Sequence, residues 1–374
     1  MLEHTKSKLI LKKIFQNLKN RFKLKIIKYN RKLQKRLDID KKDFEIYIIL
    51  KEYNTKYNSS IIDIDINKID LSYKKIGNEG IKIFKNITFG QLNDLNLESN
   101  EISDISDLKY LNAKDLENLN LKNNDISEIE VLKNENFNKL KYLDLSYNKM
   151  SNLSVFKDAK FPQLKFLNLE KNILKDELIT LEGADFNTLK ILNLQTNQIS
   201  DIKVLKNVNL IKLEELYLQF NKIMDLSVLA EVDAKLLVTL NLSCNKISNI
   251  EIFERVNFPL LEYLVLTRNS ISDIAALVKA NFKNLKELNL GDNKITNINI
   301  LKKVYFKKLF YLNLARNKIT DITILKNILI YFPDLKVLLV EGNNIDKSKN
   351  SLIIKYLSQN IKNFRIKDIN IFIH

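Results

Sequence analysis

The chain has 374 residues, 45% of them hydrophobic, and carries 61 Lys and Arg against 45 Asp and Glu, for a net charge of +16. Its single cysteine, Cys244, excludes an intrachain disulfide, and its two histidines, His4 and His374, stand at opposite termini, so a histidine-based metal site or nucleophile–base pair has no ordered place. No apolar run approaches the roughly 20 residues of a membrane span, and Leu9-Ile10-Leu11 is too short and too interrupted by lysines for a secretory leader, which points to a soluble protein of the cytoplasm or nucleus.

Residues 1–60 are expected to form a small, basic helical N-terminal domain, or a cap on the repeats that follow it. Residues 1–42 hold 15 Lys and Arg against Glu3, Asp38 and Asp40, a net +12 that leaves only +4 for the rest of the chain. Such a tail can meet nucleic acid or an anionic membrane, but its apolar positions are spaced for helices, and the lysines are read as their solvated faces. The spacing predicts one helix from Ser7, a suitable N-cap, to Leu18, a second over Phe22 to Leu37, and either a third helix or a mixed segment over Asp43 to Tyr57.

From Ile69 onward one template, L-x-x-L-x-L-x-x-N-x-I-x-x-I, is copied along the chain, most cleanly at Leu285 to Ile298. Its asparagine recurs at Asn100, Asn124, Asn148, Asn172, Asn197, Asn221, Asn245, Asn269, Asn293, Asn317 and Asn343. The spacing is 24 residues except for 25 after Asn172 and 26 before Asn343. A weaker first copy, Ile69-Asp-Leu71-Ser-Tyr-Lys74-Lys-Ile76, has Lys74 at the asparagine position. Within each copy the L-x-L alternation reads as a short strand with one buried face. A single copy cannot bury its other apolar positions against itself, whereas stacked copies can. About twelve repeats over residues 61–346 are therefore expected to give one long parallel sheet, with each asparagine satisfying backbone groups where the chain leaves its strand, in a ladder down the stack. A phenylalanine three residues before the first leucine (Phe89, Phe137, Phe161, Phe186, Phe258, Phe282, Phe306, Phe332) predicts a second buried spine. Residues 347–374 are expected to cap the stack with a helix over Ser348 to Gln359 and a closing strand through Phe364, Ile366, Ile369 and Ile371.

From about Ile69 to Ile345 the tandem L-x-x-L-x-L-x-x-N motif resembles the leucine-rich-repeat family. The resemblance implies an α/β fold, a curved solenoid with parallel strands on its concave face, and a partner protein bound on that face by a monomeric scaffold without a cofactor. Residues 7–37 also resemble an F-box through Ile10, Leu11, Ile14, Phe15 and Leu18, although no Leu-Pro opens the motif and no tryptophan follows the second helix. That resemblance implies a substrate receptor docked through these residues onto the adaptor of a cullin-type ubiquitin ligase. The I-x-D-I-x-x-L segment is shared with repeat proteins that regulate a protein phosphatase, whose repeats are shorter.

The strand positions between the leucines face the concave side. There Tyr142, Phe166 and Ile191 stand on consecutive copies, with Tyr147, Tyr217 and Phe220 nearby, and Tyr263, Arg268, Tyr311 and Arg316 form a second group. An aromatic cluster on a rigid sheet is the material of interface hot spots, so both groups are candidate partner contacts. No catalytic residue is assigned. Phosphate-cradling glycine motifs are absent, and Cys244 has no histidine to activate it.

Overall fold

The computed structural model describes residues 41–61 and 64–366, together with Lys32 and Lys35. The F-box-like positions Ile10, Leu11, Ile14, Phe15 and Leu18 lie outside the described residues, as do Ile369 and Ile371. Of the two readings of Asp43 to Tyr57, the helix is present as α1 (Lys41–Tyr57), and its Leu50 and Tyr53 are buried in the same core as the repeats.

Among the described residues, thirteen three-residue strands, from β1 (Lys68–Asp70) to β13 (Asn363–Arg365), pair in chain order into one open, parallel sheet. Register follows the repeat, so Leu119 stands opposite Leu95 on one side and Leu143 on the other. At roughly 4.8 Å per strand the sheet is about 58 Å long. In most repeats the central leucine is buried and its two neighbours are half-exposed, the pattern of a strand with one wet face. The next leucine already points into the stack, but its N–H still reaches the following repeat (Leu97 N to Asn120 O, 2.8 Å), so the ladder outlasts the extended residues.

The chain returns behind the sheet through single helical turns, mostly 3-10, such as Lys203–Asn207 and Ser227–Ala230. Their start is set by the aspartate of the I-x-D-I segment. Asp104, Asp201, Asp225, Asp273 and Asp321 each accept the N–H two residues on, at 2.7–2.8 Å, a local bond that favours a turn over a longer helix. The eight phenylalanines of the spine are buried. Several touch phenylalanines of the helical turns, Phe282 reaching Phe253 at 5.7 Å and Phe306 at 6.2 Å between ring centroids.

The repeat asparagines share one scheme, each donating to carbonyls of its own and the preceding repeat and accepting at least one N–H of the preceding repeat, and it is complete at Asn221. Asn221 donates from Nδ2 to Leu194 O, Leu218 O and Gln219 O, and its Oδ1 accepts from Asn197 N and Ile199 N, all within 2.9–3.3 Å. The amide thus joins its own turn to the turn one repeat earlier. Lys74 stands at the first asparagine position because no repeat precedes it, and Asn100 serves that first turn through Lys74 N and Ile76 N. Eight of these asparagines are buried, while Asn245, Asn269 and Asn343 remain partly exposed and still donate to a carbonyl of the preceding repeat.

The C-terminal segment differs from the sequence reading. Its helix, α2 (Ser351–Asn360), starts three residues later than Ser348. The cause is Asp346, whose Oδ1 holds Ser348 N at 3.0 Å, Ser348 Oγ at 2.7 Å and Lys349 N at 3.2 Å in a local turn. Its strand, β13, pairs parallel with the twelfth strand, Phe364 opposite Leu338, and so extends the sheet by one copy beyond the twelve read from the template.

Candidate functional site

The concave face is built from lanes that run across the strands. The lane before the central leucine carries Tyr142 on β4 (Tyr142–Asp144), Phe166 on β5 (Phe166–Asn168) and Ile191 on β6 (Ile191–Asn193), in direct register. The two rings stack, with centroids 4.4 Å apart and planes within 2°. One strand spacing brings rings to this contact without bending either strand. Tyr217 lies one lane over on β7 (Glu215–Tyr217), opposite Asn193 and diagonal to Ile191. These four side chains are half-exposed and form a continuous apolar surface over four strands.

Two of the hydroxyls are anchored. Tyr142 Oη donates to Asp144 Oδ2 at 3.2 Å, and Tyr217 Oη donates to Glu215 Oε2 at 2.5 Å. Burial, followed by these carboxylates, pushes both phenol pKa values up, so both hydroxyls stay protonated donors. Asp144 is itself fixed by Ser146, whose N–H and Oγ donate to its Oδ1 at 2.9 and 2.6 Å.

The remaining expected contacts sit elsewhere. Tyr147, Phe220, Arg268 and Arg316 are not on the strand face but immediately before the repeat asparagines, all with φ between 53° and 57°. Ser99, Asn123, Lys171, Thr196, Cys244 and Asp292 share that position and that backbone. The turn into the asparagine demands a left-handed residue, and the amide's bonds to both repeats hold it there despite the steric cost to a side chain. These residues therefore project from the rim of the sheet. The Tyr147 ring is covered by the ammonium groups of Lys171 and Lys122, 4.7 and 5.6 Å from its centroid, which removes it from the apolar surface. Arg316 lies 3.9 Å from Asp292. Phe220 is 53% exposed. Asparagine tolerates the left-handed region better than phenylalanine, so Phe220→Asn is expected to raise stability by up to about 1 kcal/mol. A thermal melt reads this, and a lower Tm would count against the steric account of the turn.

A second asparagine column, in the lane after the central leucine, has a role that reading the sequence as a surface list does not reveal. Asn96, Asn120, Asn168, Asn193, Asn241 and Asn313 each accept, through Oδ1, the N–H two residues on, at 2.9–3.1 Å. Their amides are committed to closing the turn. The available signal was their place two residues before a backbone reversal.

The second group centres on β9 (Tyr263–Val265), β10 (Glu287–Asn289) and β11 (Tyr311–Asn313), where Tyr263, Glu287 and Tyr311 are in register. Two intervening strands, carrying Glu215 and Thr239 in this lane, separate it from Ile191. Glu287 was not among the expected contacts. Among the described residues no group of three or more His, Cys, Asp or Glu is placed to hold a metal ion, and no helix is long and apolar enough to cross a membrane.

Comparison with known proteins agrees with this geometry. A family model described as a leucine rich repeat matches residues 259–319, and another leucine rich repeat model matches residues 138–156. Among solved structures, an internalin (inlF) from Listeria monocytogenes is 26% identical over 86% of this chain and 88% of its own, with a TM-score of 0.67. A leucine-rich-repeat protein of Leptospira interrogans shares the fold at 20% identity, covering 86% of this chain and 98% of its own, with a TM-score of 0.52. The repeat ectodomain of the Arabidopsis thaliana membrane receptor kinase GASSHO1/SCHENGEN3, solved in complex with CASPARIAN STRIP INTEGRITY FACTOR 2, shares it at 18% identity over 80% of this chain and 41% of its own, with a TM-score of 0.53. No curated protein matches the chain.

Proposed function

We propose that this chain, a leucine-rich-repeat protein, is a non-catalytic scaffold that holds a partner protein on its concave sheet, with the binding energy centred on Tyr142, Phe166, Ile191 and Tyr217. The observation that carries this reading is the stacked Tyr142–Phe166 pair at 4.4 Å, continued by Ile191 on the next strand. The stacked pair stabilises the sheet by about 1 kcal/mol at most, and the faces it leaves half-wet on the rigid inner wall remain undried. A partner's apolar patch gains by drying them, and solenoid curvature supplies the extended surface for it. Little conformational entropy is lost on binding, because the rings are held by each other and by Asp144 and Glu215. A standard interface of about 800 Å² per partner occupies only part of the arc.

The combined change Tyr142→Ala, Phe166→Ala and Tyr217→Ala tests the reading. Partners captured by the wild-type chain, then measured singly by calorimetry, should lose about 2 kcal/mol or more of binding free energy. Unchanged affinity for every such partner would place the interface elsewhere.

A further inference from the structure

We propose that β9 to β11 take a cationic side chain, arginine or lysine, from a bound protein segment, its charge on the Glu287 carboxylate and its flanks against the rings of Tyr263 and Tyr311. The inference rests on the concave-face reading above and names the chemistry of one contact.

Three carboxylates occupy the lane before the central leucine between β2 (Asp94–Asn96) and β11. Asp94 meets the Lys68 ammonium at 3.1 Å, and Glu215 accepts the Tyr217 hydroxyl at 2.5 Å. Glu287 has neither hydrogen bond nor ion pair among the described residues, although it is half-buried between two tyrosines. The nearest cation along the chain, Lys286, is committed to Glu262 at 2.6 Å. Burial pushes the Glu287 carboxyl pKa up, and the Tyr311 phenol is raised by burial and then by Glu287 and Glu341, against a smaller lowering by Arg365. A half-desolvated charge without a partner destabilises the free protein, and a cation seated on it would return that cost.

The spacing suits the guest. Tyr263 and Tyr311 are two strands apart, roughly 9.6 Å at 4.8 Å per strand. A cation midway lies within the roughly 6 Å at which a ring face attracts it. Tyr142 and Phe166, on adjacent strands, have closed on each other and leave no such slot.

The test uses the full chain, immobilised and exposed to peptide pools that are randomised except for one central residue fixed as arginine, lysine, citrulline or glutamine. The arginine and lysine pools should be retained about tenfold over the two neutral pools, which corresponds to one desolvated cation contact. The chain's own net charge of +16 opposes any unspecific preference of this sign. Glu287→Gln, which keeps the shape and removes the charge, should bring the ratio close to one while Tm at neutral pH stays at or above the wild-type value, since the substitution removes an unpaired charge. Tyr263→Ala with Tyr311→Ala should reduce the ratio in part. Equal retention of all four pools by the wild type, or a cation preference that survives Glu287→Gln, overturns the proposal. Loss of retention in Tyr142→Ala with Phe166→Ala, beside an unaltered preference in Glu287→Gln, sinks this inference alone. Retention indifferent to both sets of substitutions sinks the concave-face reading with it.

Discussion

Replacing Phe282 by alanine is expected to lower stability by about 3–5 kcal/mol, the cost of removing a buried aromatic ring from a site that cannot collapse around the gap. The ring is 1% exposed and lies between Phe253 and Phe306, so its loss opens the spine on both sides. The neighbouring repeats cannot close in, because their separation is fixed by the strand ladder, Glu287 to Tyr263 and Glu287 to Tyr311. In a stack where each unit leans only on its neighbours, a weak interface also uncouples the two sides. Melting followed by circular dichroism should therefore broaden or split into two transitions. Hydrogen exchange should accelerate first in the repeats on the C-terminal side of Phe282, which has fewer copies to support it. A single sharp transition with unchanged Tm would refute the role of the spine.

The second large effect is expected at the asparagine ladder. Asn221→Ala orphans two backbone N–H groups, Asn197 N and Ile199 N, that the side chain now satisfies, and takes one of two donors from each of Leu194 O, Leu218 O and Gln219 O. The penalty for buried groups left unpaired is about 1–3 kcal/mol, and with two N–H groups left without an acceptor a loss in that range is expected. Asn221→Asp should be worse at neutral pH, since a carboxylate keeps the acceptor but sets a negative charge against three carbonyl oxygens. Lowering the pH until that carboxyl protonates should recover part of the loss, whereas Asn221→Ala should show no such recovery. Chemical denaturation of the two variants at neutral and acid pH separates these outcomes. Equal stability of Asn221→Asp and wild type at neutral pH would mean that the amide's donor side is not needed. The same variants should also lose the left-handed turn at Phe220, because the amide is what holds that backbone.

Much of this molecule is written in the local order of residue types. The spacing of Leu288, Leu290 and Asn293, repeated along the chain, determines the strand, its buried face and the parallel stacking, because no other arrangement buries that set of leucines and phenylalanines at once. The aspartates that open the helical turns and the helix at Lys41–Tyr57 are legible for the same reason, since each depends on neighbours a few residues away. What depends on residues 24 or more positions apart was decided only by the tertiary structure. Sequence identifies Tyr142 and Phe166 as neighbours, yet only the register and twist of adjacent strands close them to 4.4 Å while leaving Tyr263 and Tyr311 on either side of a carboxylate. Tyr147 and Phe220 look like members of the aromatic surface until the left-handed turn carries them to the rim. That Glu287 lacks a partner among the described residues while Glu215 has one follows from where Tyr217 and Lys286 direct their polar ends, which is a property of side chains meeting on the folded sheet and not of any position taken alone.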